Sequence, residues 1–285
     1  MKRLSEKYPL HTAYSFVFGI FLLRIIDVFI IRSDELYGEQ ILTKVVGLIL
    51  VFAYVWSVKG TLAGIGLHAK NWKVSVLIGL SIMAAGLVAG YGVEWLYLYG
   101  RGLNPEILIE AQGNTLIPEY VAKGGLFFAI TLLVGNIINS FMEEGLFRGI
   151  LMTHLGSRMS HAKANIIQAS LFGVWHIVWS LRDYLDGRIT LMVAVGISAG
   201  YILLSGLIGF VWGYFYQKTN SLWASWSAHT LNNTVFNLVH ITTSAGIPET
   251  LGLRVAVSVS VVVALLPLVR QIAKKWQLEG IISWC

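Results

Sequence analysis

Eight stretches of about 20 mostly apolar residues recur along this chain of 285 residues, and they limit its fold more than any other feature. A helix needs about 20 such residues to cross the hydrocarbon core of a bilayer. The stretches are Tyr14–Ile31, Ile41–Val58, Val74–Tyr99, Gly125–His154, Ala162–Leu181, Ile189–Gln217, Ser221–Ile241 and Leu251–Val269. They predict an all-α, polytopic membrane protein with about eight transmembrane helices. Composition agrees: 56% of residues are hydrophobic and only 13% charged, about half the roughly 25% of a soluble domain. An ordinary soluble globule is excluded, and so is a disordered chain, which needs low hydrophobicity and high charge. The first stretch lacks a small-residue cleavage site and is followed by further spans, so it reads as a membrane helix rather than a signal sequence.

The basic excess, 21 Lys and Arg against 15 Asp and Glu, reads as basic loops at one membrane face rather than as a nucleic-acid surface. With the N-terminus inside, Lys2, Arg3, Lys7, Lys59, Lys70, Lys73, Arg158, Lys163, Lys218, Arg270, Lys274 and Lys275 fall inside. Arg32, Lys44, Arg101, Lys123, Arg182, Arg188 and Arg254 fall outside. The positive-inside rule then predicts that both termini are cytoplasmic, and an even number of spans satisfies that. Cys285 is the only cysteine, so an internal disulfide or a Cys-based metal cluster is ruled out. The longest connection, Gly100–Gly124, is expected to lie along the outer interface. No repeat or linker divides the chain, so residues 1–285 read as one integral-membrane domain. Glycines four apart (Gly86/Gly90, Gly145/Gly149, Gly196/Gly200, Gly209/Gly213) are expected to let helix backbones approach closely.

Charged groups at membrane depth are costly and are functional candidates by default. Arg24 and Asp27, three apart, suit a structural ion pair, and Glu94 is expected to reach the headgroups. The other polar groups concentrate in three places. On the fourth stretch, Asn136, Asn139 and Glu143 form one polar stripe, and Ser140, Glu144 and Arg148 form the adjoining one. Glu144 is spaced to pair with Arg148, which leaves Glu143 without an evident local cation. A structural network containing both acids fits the spacing equally well. On the fifth stretch, Phe172 and His176 share a face. On the seventh, Ser225, His229, Asn233 and Asn237 step by four, a pattern that also suits interhelical hydrogen bonding. At 1.5 Å per residue, Glu143, His176 and His229 lie roughly 16, 21 and 12 Å from the inner ends of their helices. Three separate helices thus bring acid, imidazole and amide to a similar depth.

Such a set suits hydrolysis. Glu143 can deprotonate a water that His176 helps to position, and His229 and Asn233 can hydrogen-bond a developing oxyanion. The same carboxylate and imidazoles, Glu143, His176 and His229, are also chemically suited to bind zinc. Other hydrolytic signatures are missing. No His is followed by Glu, so the HExxH zinc motif is absent, and Asp occurs only at positions 27, 34, 183 and 186. The string Gly196-Ile-Ser198-Ala-Gly200 lacks the strand–turn–helix context of a nucleophile elbow and reads as a packing notch. A proton-relay transporter would use similar residues, but the two similar halves common in transporters are not evident.

EExxxR (Glu143, Glu144, Arg148), FxxxH (Phe172, His176) and HxxxN (His229, Asn233), in this order on successive hydrophobic stretches, resemble the CAAX protease and bacteriocin-processing family of intramembrane proteases. The resemblance covers about residues 125–240, and Gly64–Trp72 is similar to a short stretch often seen before the core in bacterial members. It implies an endopeptidase that cuts a membrane-associated peptide or protein. Glu143 and His176 would activate water, His229 and Asn233 would stabilise the oxyanion, and Glu144, Arg148 and Phe172 would support the site. It leaves zinc-dependent and metal-independent chemistry both open. It also leaves open a non-catalytic bacteriocin-immunity or scaffold role. The chain looks bacterial, so the expected location is a prokaryotic plasma membrane and the expected substrate a peptide or membrane protein rather than a prenylated one. Oligomeric state is not legible.

Overall fold

The computed structural model describes residues 2–37, 40–58, 60–68, 70–113, 124–244 and 250–278. Lys59, Lys123 and Cys285, which figure in the sequence reading, lie outside the described residues.

After the short α1 (Lys2–Lys7), Pro9 opens α2 (Pro9–Ile26) at the first helical turn, where its missing N–H costs nothing. The helix widens into a π-helical turn, Asp27–Ile31, and stops at Arg32, whose φ of 55° is left-handed. Asp27 fixes the corner that follows. Its carboxylate accepts from the Ser33 hydroxyl and from the Thr43 N–H, each at 2.7 Å. These bonds join α3 (Ser33–Tyr37) and the start of α4 (Ile41–Ser57) to the end of the first span.

The 29-residue α5 (Trp72–Gly100) is held against the C-terminal half of the chain by glycines. A Cβ at Gly79 would lie 2.1 Å from the Ala224 carbonyl oxygen, and one at Gly90 would lie 2.1 Å from the Ser258 hydroxyl. At these points α5 packs directly on α11 and α12, described below. Among the described residues, six helical spans are long and apolar enough to cross a membrane: Pro9–Ile31, Trp72–Gly100, Leu126–Gly156, His161–Leu185, Leu191–Thr219 and Leu251–Lys275. With α4 and α11, each 17 residues long, they occupy the eight stretches read from the sequence. The fold is that of an all-α polytopic membrane protein.

The third long span is composite. α6 (Leu126–Glu144) passes into a π-helical segment, Gly145–Met152, and then into α7 (Thr153–Gly156). The fourth is broken: α8 (His161–Val174) and α9 (Val178–Leu185) are separated by a turn at residues 175–177. The break has a local cause. His176 places Nδ1 on the Phe172 carbonyl at 2.8 Å, and its own N–H bonds instead to Gly173 O at 3.2 Å. The side chain thus takes the acceptor that an α-helix would give to the backbone.

α10 (Leu191–Thr219) is capped by the Thr190 hydroxyl and ends at Asn220, φ 51°. α11 (Leu222–Leu238) stops three residues before the expected end of its stretch. Val239–Thr243 leaves it as a strand paired antiparallel with Pro105–Ile109, in the register Pro105↔Thr243 to Ile109↔Val239. Four of the five residues Val239-His-Ile-Thr-Thr243 are β-branched and favour extended backbone over helix. The connection after α5, expected as an interfacial loop, therefore supplies β1 (Pro105–Ile109) to β2 (Val239–Thr243). α12 (Leu251–Ala264) and α13 (Leu266–Lys275) complete the bundle.

Two expectations from the sequence are corrected here. Glu94 does not reach the headgroups. It is fully buried and accepts from Arg254 at 2.5 Å, with the Thr250 N–H and hydroxyl at 2.6 and 3.1 Å. Gly196 and Gly200 form no notch, since nothing lies within 4 Å of a Cβ at either, and Ser198 shares a 2.7 Å hydrogen bond with Ser180. The other three glycine pairs do lie against neighbouring elements.

Removing one partner of a buried ion pair leaves an uncompensated charge, at a cost of roughly 3–5 kcal/mol. Arg254→Met is therefore expected to lower the melting temperature of the detergent-solubilised protein clearly. Adding Glu94→Gln to it should recover part of the loss.

Candidate functional site

The C-terminal end of α6, the break between α8 and α9, and the middle of α11 face one another around a cavity of about 320 Å³. Glu143, His176, His229 and Asn233 all line it, together with Phe172 and Asn139. The cavity extends to Trp179, Arg182, Asp183 and Arg188 near the end of α9.

Glu143 and Glu144 are adjacent in sequence but face different partners. Glu144, fully buried, accepts from Arg148 at 2.9 Å, and the same Oε1 lies 2.9 Å from His229 Nδ1. Arg148 donates further to the Gly209 carbonyl at 2.8 Å and lies 4.6 Å from the centre of the Phe172 ring. Gln168 also donates to Gly209 O, at 3.0 Å. This ties α6, its π-helical extension, α8, α10 and α11 into one buried polar cluster. The Glu144–Arg148 pair expected from spacing is thus present.

Glu143 turns to the cavity. Its Oε1 accepts from the Trp175 indole N–H at 2.8 Å, while Oε2 has no hydrogen-bond partner among the described residues and lies 3.7 Å from His229 Nε2. A cation does lie nearby. Arg24, from the first span, has its guanidinium 3.8 Å from Glu143 Oε1 and over the Trp175 ring at 4.6 Å. The expected Arg24–Asp27 pair does not form, because Asp27 is committed to Ser33 and Thr43.

The imidazoles are held differently. With Nδ1 on the Phe172 carbonyl, the neutral His176 ring carries its proton there and leaves Nε2 bare as an acceptor. His229 stacks on Trp212, with ring centres 3.9 Å apart and planes at 19°. Phe172 stands edge-on to both imidazoles, 4.8 Å from His176 and 6.0 Å from His229. Asn233 uses its Oδ1 to accept from Asn232 at 3.2 Å, which leaves its NH₂ to donate elsewhere.

Sequence reasoning missed several residues of the site. Trp175 and Trp212 looked like ordinary apolar residues, although each indole orients a candidate side chain. Lys44, counted among the outer residues, is buried in α4 and lines the cavity. Gln40 was not singled out. The depth argument alone could have flagged Arg24 and Lys44 as facing a polar interior.

A zinc site fits less well. Among the described residues, no three His, Cys, Asp or Glu side chains are grouped to hold a metal ion. Glu143, His176 and His229 line one cavity without forming a ligand set.

These features define an integral membrane protein whose helical spans surround a half-open cavity with carboxylate, imidazole and amide groups in its wall. Residues 125–235 match the family described as Type II CAAX prenyl endopeptidase Rce1-like. The matched segment is the one that holds the EExxxR, FxxxH and HxxxN motifs. No curated protein and no solved structure matches the chain.

Arg148→Ala would strand the Glu144 carboxylate in a fully buried setting, and a loss of roughly 3–5 kcal/mol is expected. Glu143→Gln keeps an acceptor for the Trp175 indole. Size-exclusion chromatography in mild detergent should show aggregated Arg148→Ala and monodisperse Glu143→Gln protein.

Proposed function

We propose that this protein is an intramembrane endopeptidase that hydrolyses a peptide bond of a membrane-associated peptide or protein. In this reading Glu143 is the general base. The observation that carries it is the division of labour between adjacent carboxylates: each keeps one oxygen without a hydrogen-bond partner among the described residues, but Glu143 lines the cavity, whereas Glu144 does not and is bound by Arg148 and His229. A base needs such a free oxygen within reach of the proton it takes.

The bare Nε2 of His176 is an acceptor suited to orienting the attacking water. Glu143 takes the proton as the water oxygen adds to the carbonyl carbon, and it returns a proton to the leaving amine as the C–N bond breaks. The negative charge that develops on the carbonyl oxygen needs donors. The Asn233 NH₂ is one. His229, with Nδ1 on Glu144, can donate from Nε2 only when both ring nitrogens carry protons, a form that the Glu143 and Glu144 carboxylates would pair with. Trp212 stacking holds that ring in one orientation, and Trp175 does the same for Glu143 through its indole N–H.

The family match and the half-open cavity both support a peptide substrate that reaches the site within the bilayer. A prokaryotic plasma membrane with both termini cytoplasmic is part of the same proposal, supported by the distribution of Lys and Arg.

Purified protein in liposomes, incubated with a panel of membrane-anchored peptides and followed by mass spectrometry, tests the reading. Glu143→Gln and His176→Asn should each abolish cleavage while leaving the melting temperature near that of the native protein. Asn233→Ala should lower kcat about 10²- to 10³-fold, the range for loss of one oxyanion donor. Undiminished cleavage by Glu143→Gln would falsify the assignment.

A further inference from the structure

Six polar side chains in the described cavity wall are more than nine-tenths buried yet incompletely bonded. Besides Glu143, Arg182 and Ser258, they are Arg24 at 3% exposure, Gln40 at 1% and Asn139 at 8%. Arg24 Nε, Gln40 Nε2 and Asn139 Oδ1 have no hydrogen-bond partner among the described residues. Buried polar groups are nearly always satisfied, so orphans gathered around one cavity need a reason.

Arg24 is the most demanding of them. Its guanidinium presents five N–H donors in a fixed fork. Its ion pair with Glu143, at 3.8 Å, lies beyond the 2.7–3.2 Å of an N–H···O bond. Glu143 Oε1 already takes the Trp175 indole, so Glu143 does not satisfy the fork. The Trp175 and Trp179 rings, 4.6 and 5.9 Å from the guanidinium carbon, favour the cation but accept no conventional hydrogen bond.

We propose that Arg24, with Gln40 and Asn139 in the same cavity wall, forms a subsite that binds a carboxylate of the peptide substrate. A carboxylate matches the guanidinium fork bidentately, and the two amides offer donors and acceptors suited to the adjoining peptide backbone. The inference rests on the hydrolytic reading and gives it a direction. Arg24 is one contact from Glu143, so a carboxylate held there lies within roughly three extended residues of the bond that is cut. Two sources share this chemistry: the free C-terminus of the peptide, or an Asp or Glu side chain near the cut. Arg24 and Gln40 both lie outside the 125–235 segment that matches the protease family, so the first spans would contribute selectivity to a site whose reacting groups lie elsewhere.

The test uses the full chain in liposomes and one membrane-anchored, fluorescent peptide in four forms. The C-terminus is free acid or amide, each with Asp or Asn among the last three residues. Cleavage is read by mass spectrometry and binding by anisotropy. The native protein should favour a carboxylate-bearing form over the form with neither carboxylate by about tenfold in kcat/KM, the scale of one charge-assisted hydrogen bond. Arg24→Gln should shrink that preference to within about twofold, and Arg24→Lys should retain part of it. A preference that follows the acid over the amide assigns the C-terminus as the source, and one that follows Asp over Asn assigns the side chain. Both support the subsite. Equal cleavage of all four forms by the native protein overturns it. So does an Arg24→Gln variant that slows every form by the same factor, since that places Arg24 on Glu143 alone. If no form is cleaved, the hydrolytic reading fails, and the anisotropy decides the subsite separately. A carboxylate-dependent affinity lost in Arg24→Gln supports it, and equal affinities overturn it.

Discussion

The buried contact among Glu144, Arg148 and His229 organises the centre of this molecule. A carboxylate in hydrocarbon is costly unless it is paired and fully hydrogen-bonded. Glu144 is paired through one oxygen, Oε1, with a guanidinium from its own helix and an imidazole from α11. Arg148 in turn needs acceptors, and the Gly209 carbonyl in α10 supplies one. Its approach depends on a glycine, because a Cβ at 209 would lie 2.9 Å from the Phe172 ring and 3.3 Å from the Arg148 guanidinium. Satisfying one acid thus draws α6, α8, α10 and α11 to the same depth. The cavity is what remains between them.

That arrangement explains why two neighbouring acids differ so much. Consecutive helical residues point about 100° apart. With Glu144 directed into the cluster, Glu143 must face the adjoining sector, where Trp175 and Arg24 stand. The π-helical segment begins at Gly145, directly after the pair, and the α8–α9 break falls at His176. Both irregularities sit beside the groups read here as reacting. Wide turns and broken helices free backbone groups that lipid cannot satisfy, and they are tolerated where protein or a polar cavity can. Their positions follow from local chemistry: an imidazole that takes its own helix's carbonyl at 172, and small residues at 145 and 149.

Much of this was legible in the sequence. Runs of apolar residues report helices because a single physical rule, length against bilayer thickness, governs them. Spacing by four reported the Glu144–Arg148 pair because both partners lie on one helix. What stayed hidden depends on contacts between distant segments. Arg24 looked paired with Asp27, yet Asp27 is taken by the backbone of α4, sixteen residues on. Glu94 looked like an interfacial acid, yet its cation lies 160 residues away in α12. Trp175 and Trp212 carried no signal at all, since indoles in apolar helices are ordinary and only the fold shows what their N–H groups and faces touch. The short sheet escaped for a similar reason. Val239–Thr243 continues an apolar stretch without a break, and only its β-branched content and its pairing with Pro105–Ile109 make it a strand.

The division of the cavity wall between two parts of the chain has a further consequence. Glu143, His176, His229 and Asn233 all fall within the segment that matches the protease family. Arg24, Gln40, Lys44 and Met83 before it, and Leu251, Val255 and Ser258 after it, line the same cavity. The proposed hydrolytic centre would have to hold its groups within tenths of an ångström, and the buried Glu144–Arg148–His229 cluster is suited to give that rigidity from inside the matched segment. The remaining wall has a looser requirement, because it need only complement whatever the substrate presents. Its side chains can differ in charge and shape while the hydrolytic geometry stays fixed. The Arg24 Nε in that wall, which has no hydrogen-bond partner among the described residues, is the ground on which the carboxylate subsite is proposed.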